Sequence, residues 1–91
     1  MNKVVYKVQL PRPGALLEVD LRIGATFLHV GLQNTHAFLW FDVDPEIKET
    51  RTYEFTCVGT GWAFENKNHG HIGTVVDEAN YVWHYYYRIL E

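Results

Sequence analysis

The chain has 91 residues, an apolar fraction of 47% and 15% aromatics, which sets it at the scale of one small folded domain and excludes disorder. Eight Lys and Arg against eleven Asp and Glu leave a formal charge of −3, without the basic face of a general nucleic-acid coat. A single cysteine, Cys57, permits neither an internal disulfide nor a zinc–thiolate cluster and suits a reducing compartment.

No apolar run reaches the ~18 residues of a membrane span, and Met1-Asn2-Lys3-Val4 lacks a signal-peptide core, so a cytoplasmic protein off the membrane is expected. Apolar burial worth ~140 kcal/mol nearly cancels an ordering cost of ~1.5 kcal/mol for each residue. Good packing or self-association is therefore needed.

Period-two patterning dominates the chain from its first residues. Val4, Tyr6, Val8 and Leu10 alternate with Lys3, Lys7 and Gln9, and Pro11-Arg12-Pro13-Gly14 ends that strand. Leu17, Val19, Leu21 and Ile23 against Glu18, Asp20 and Arg22 make the cleanest half-buried strand. Gly24-Ala25 turns into a strand over 27–33, and Asn34-Thr35 suits a two-residue hairpin. His36 to Val43 is apolar on both faces and is expected at a sheet centre or covered on both sides. Asp44-Pro45 opens the main polar break, with room for one helical turn.

Thr50 to Val58 alternates again, with Cys57 in phase with Tyr53 and Phe55 and so expected to be buried. A polar loop over 65–70 precedes a short strand, Ile72 to Val76, and Asp77-Glu78-Ala79-Asn80 turns into the last strand, Tyr81 to Arg88. In that strand Tyr81, Trp83, Tyr85 and Tyr87 share one face, and Val82, His84, Tyr86 and Arg88 the other. Both faces are semi-apolar, which requires cover on both sides or a second subunit. The prediction is a single all-β domain over 1–91, an antiparallel sandwich or small barrel of six or seven strands with little or no helix. Hairpin-rich order would set sequence neighbours side by side, with a Greek-key crossing left open.

Gly59-Thr60-Gly61-Trp62 is the first functional candidate. Two glycines around a hydroxyl let a ligand approach main-chain N–H groups, and Trp62 can stack on a base. It is not a P-loop, having neither the lysine nor the following helix. A bulge or turn with a packed Trp62 accounts for the same residues. Arg51 is the candidate phosphate partner, against solvated pairing with Glu49 or Asp44, and Trp83 or His84 would close the site. His69 and His71 share one face of an extended segment, but a metal site would need His84 or Asp77 from elsewhere, and no metal or other cofactor is expected. No nucleophile, base and orienter stand in a catalytic pattern, so no catalytic residues are assigned. A hydrolase working through His29 or His84 is a minor alternative.

Several stretches together resemble a family of small phage and prophage proteins of unknown function. They are Val4-Val5-Tyr6-Lys7, Gly24-Ala25 with Leu28-His29-Val30, Leu39-Trp40 with Val43-Asp44-Pro45, and Glu49-Thr50-Arg51. Val58-Gly59-Thr60-Gly61, Ile72-Gly73-Thr74-Val75 and Val82-Trp83-His84 complete the set, which spans most of the chain. Trp62 stands where that family often carries histidine, and the tail from Tyr85 is more aromatic. The resemblance implies a compact β-rich phage accessory protein, of a kind that commonly counters host immunity. Sequestering a signalling nucleotide, such as a cyclic oligonucleotide or an ADP-ribose-type signal, is the expected role, with no enzymatic activity and a homo-oligomeric state. A protein–protein inhibitor of a host defence enzyme, using the acidic Asp42–Glu49 stretch or an aromatic face, is the first alternative. A phage structural or assembly part is the second.

Overall fold

The computed structural model describes residues 2–90. Seven strands follow in order: β1 (Val4–Gln9), β2 (Leu16–Arg22), β3 (Thr26–Gln33), β4 (His36–Val43), β5 (Thr50–Gly59), β6 (Gly70–Val76) and β7 (Val82–Leu90). They form two antiparallel sheets, β1-β4-β3 and β2-β5-β7-β6, stacked as a sandwich. No helix among the described residues is long and apolar enough to cross a membrane.

Alternation decides which side chains meet between the sheets. β4 sends Ala37, Leu39, Phe41 and Val43 inward, and β5 sends Tyr53, Phe55 and Cys57 to meet them. Leu39, Val43, Phe55 and Cys57 are the most completely buried. Burial pushes the Cys57 thiol up and the hydroxyl of Tyr85, its partner across the ladder, higher still, so both stay neutral. The doubly apolar β4 lies at the centre of its sheet as expected, although its outer residues Phe38 and Trp40 are only half-buried.

Connectivity departs from the hairpin expectation. Only β3–β4 and β6–β7 pair as sequence neighbours; β1 pairs with β4, and β2 with β5. The short links 10–15 and 23–25 instead carry the chain from one sheet to the other. This follows from the patterning: β1 and β2 each have one apolar face, and two such faces are buried best by opposing each other. Asn34 and Thr35, with φ of 52° and 68°, form the two-residue β3–β4 hairpin. The segment after Asp44 is a turn without helix, closed by the Ile47 amide on the Asp44 carbonyl, while the Glu46 amide bonds the Asp44 carboxylate.

The two long sides of the sandwich differ. On one, β3 packs against β6 so closely that a Cβ on Gly73 would lie 2.5 Å from Cβ of Val30. A bulge between His71 and Gly73 brings that glycine to the contact. On the other side β1 and β2 are both sheet edges, and a cleft of about 150 Å³ lined by Tyr6, Leu21, Phe41 and Val43 opens between them.

Candidate functional site

At the C-terminal end of β5 the chain turns through Gly59-Thr60-Gly61-Trp62 and then covers part of the outer face of the four-stranded sheet. The Trp62 amide bonds the Gly59 carbonyl at 3.0 Å, and Gly61 takes φ of 88°, so these four residues make a tight β-turn. The Thr60 amide donates to the Val82 carbonyl at 3.3 Å. With these two amides engaged, the turn is not an open cradle of N–H groups. Its chemistry lies in its side chains and in what they cover.

The Thr60 hydroxyl sits 2.7 Å from Nε2 of His84, and Nδ1 of the same ring lies 3.0 Å from the Thr74 hydroxyl. Thr74 is in turn 3.0 Å from Nε2 of His71. β-ladder register explains the convergence: Thr74 on β6 is directly opposite His84 on β7, which is opposite Val58 on β5. When His84 is neutral, one of its two threonines must donate to the ring and the other accept from it. The imidazole is thus fixed at both nitrogens.

Aromatic walls flank this chain. Tyr86, two residues along the same face, has Phe64 of the loop at 4.7 Å between ring centroids and His71 at 5.2 Å. Val58, Thr60, Phe64, His84 and Tyr86 line a cleft of about 200 Å³ under the turn. Phe64 also borders a second cleft of about 210 Å³, where Lys67, His69 and Arg88 meet Glu54 and Glu65. There Nε of Arg88 donates to Glu54 at 2.8 Å, and that bond holds the nearly buried carboxyl below its ordinary range.

The residues proposed from sequence divide into three places. Gly59, Thr60, Gly61 and His84 come together in the cleft. Trp62 borders it, but its ring packs edge-on against Trp83 at 5.5 Å and lies over Gly59, where a Cβ would approach the indole to 2.8 Å. Trp83 points to the inner face, and its indole N–H donates to Asp77 at 2.9 Å, lowering that carboxyl's pKa. Adjacent on β7, Trp83 and His84 therefore serve opposite faces. Arg51 lies eight residues down β5 from Gly59, about 26 Å away at strand rise. It is exposed and belongs to the far end of the sheet.

Thr74, Tyr86 and Phe64 were not singled out by the sequence patterning. Alternation already sets Tyr86 on the face of His84, Thr74 becomes visible only once the β6–β7 register is known, and Phe64 lies in a loop without periodicity. Among the described residues no group of three or more His, Cys, Asp or Glu converges as a metal site. No curated protein and no solved structure gives a significant match to the chain. A family model for a domain of unknown function, DUF7352, matches residues 1–91, and the chain belongs to that family.

Proposed function

We propose that this protein is a non-enzymatic binding protein that holds a small nucleotide-type ligand on the outer face of its four-stranded sheet. The observation that carries the reading is the cleft in which an imidazole, pinned by Thr60 and Thr74, stands beside Tyr86 and Phe64. A flat base can lie against aromatic rings of this kind while the threonine hydroxyls, held in place by the imidazole, bond its edge. A cleft of about 200 Å³ is small for a whole nucleotide. One base would occupy it, and the sugar and phosphate would extend past Phe64 toward Lys67, His69 and Arg88. Lys67 and Arg88 replace Arg51 as the phosphate partners.

Binding is favoured over hydrolysis because both nitrogens of His84 are already engaged, leaving no free lone pair for a general base. A role in phage counter-defence is the setting that the sequence resemblance implies for such a binder. Native mass spectrometry with cyclic di- and trinucleotides and ADP-ribose tests the reading. Retention of one intact species, lost in His84→Ala and Tyr86→Ala, is expected. Failure of the whole panel to bind would remove it, and cleaved products would turn the case to an enzyme.

A second reading has its own observation. The outer face of the three-stranded sheet presents Phe38, Trp40 and His29, with Nζ of Lys7 4.6 Å above the Phe38 ring. A half-exposed Trp with flanking aromatics is the composition of a protein-binding hot spot. A protein inhibitor using this face would lose its partner on Trp40→Ala and keep it on His84→Ala.

A further inference from the structure

We infer that the open β1–β2 side is a self-association surface, on which a second copy of this chain completes both sheets at once. β1 and β2 are the free edges of different sheets on the same side of the sandwich. Joined at one end by residues 10–15, they run in opposite directions. A two-fold axis parallel to the strands therefore sets β1 of each copy beside β2 of the other, antiparallel. Both sheets then become seven-stranded, and the interface is closed and self-complementary.

The ladder already present fixes which groups are free. Leu10 donates to the Ala37 carbonyl, so alternation along β1 directs the backbone groups of Val4, Tyr6 and Val8 toward β4. Those of Val5, Lys7 and Gln9 face outward. Ile23 donates to the Glu49 carbonyl, so by the same alternation Glu18, Asp20 and Arg22 hold the free groups on β2. Tyr6 and Leu21 line the same cleft and so stand at one level along the strands, which an axis along the strands preserves. Lys7 then meets Asp20 of the second copy, Gln9 meets Glu18, and Val5 meets Arg22, while Tyr6 and Leu21 stay on the inner face.

Charge and exposure agree with this occupant. β1 carries a basic side chain at Lys7 and no acid, whereas β2 presents Glu18 and Asp20 on the matching face. Tyr6 is 47% exposed although it faces inward, and Val5 on the free edge is 58% exposed. Unpaired edges of this kind are templates for added strands, and opposite charges directly across a ladder favour one register over others.

Light scattering and native mass spectrometry of the full chain at micromolar concentration test the proposal, with a dimer expected. Val5→Pro removes a free-edge N–H without touching a β1–β4 bond and should give a folded monomer whose melting temperature no longer rises with protein concentration. Lys7→Glu alone and Asp20→Lys alone should each weaken the dimer about tenfold. The double variant should restore it, because the pair across the seam is only reversed. A monomeric wild-type chain overturns the proposal, whether or not it captures a peptide strand. So does a dimer that Val5→Pro leaves intact.

Discussion

On the inner face of β7, Tyr87 packs against Phe27 and Tyr53, Tyr85 is buried opposite Cys57, and the polar atom of Trp83 is satisfied by Asp77. One residue along, the outer face carries His84, Tyr86 and Arg88, joined to threonine hydroxyls, a loop phenylalanine and a glutamate. Aromatic and hydrogen-bonding groups occur on both. The inner set is enclosed by a second sheet, so its loss is paid in stability. The outer set is covered only in part by residues 60–69, so it can exchange water for a ligand. Strand alternation alone separates a structural surface from the proposed binding surface within nine residues of one strand.

Breaking the inner side should give the largest effect. Phe55→Ala removes a fully buried ring opposite Tyr87 and should cost ~3–5 kcal/mol by urea denaturation. A cost below about 1 kcal/mol would mean that the two sheets do not pack at this point. Gly73→Ala drives a Cβ into Val30 at the closed β3–β6 side and should cost ~1–3 kcal/mol, visible as a lowered melting temperature. An unchanged melting temperature would show that β3 and β6 stand further apart.

Acid sharpens the comparison, because each face holds one stabilised carboxylate. Glu54 and Asp77 both have folded pKa values below their unfolded ones, through Arg88 and the Trp83 indole respectively. Their stabilisation is complete above the ordinary carboxylate range near ~4 and is lost as pH falls through the lowered folded values. Thermal melts from pH 7 to pH 2 should fall in that acid window. Glu54→Gln should flatten the outer-face contribution and Trp83→Phe the inner one. An unchanged slope in both variants would contradict these pairings.

The strands were legible because each buries one face: Leu17, Val19 and Leu21 announce β2 without any tertiary information. The burial of Cys57 and the division of β7 into two faces were legible for the same reason. What the pattern could not carry was partnership between strands. β1 and β2 look like a hairpin in sequence, yet the need to bury two apolar faces against each other puts them in different sheets. Arg51 was chosen for its charge alone, and an extended strand sets it eight residues from Gly59, at the far end of the sheet. Thr60, Thr74 and His84 come from three places in the sequence, and only ladder register brings them into bonding distance.

The smallest expected effect on stability is at the candidate site itself, and it gives the most direct test. His84→Ala leaves two exposed threonine hydroxyls to water and should change stability by no more than ~1 kcal/mol. Isothermal titration of wild-type and His84→Ala protein with whichever nucleotide native mass spectrometry retains should show binding only in the wild type, at matched melting temperatures. Equal affinity in both would contradict a ligand seated on the outer face of β7.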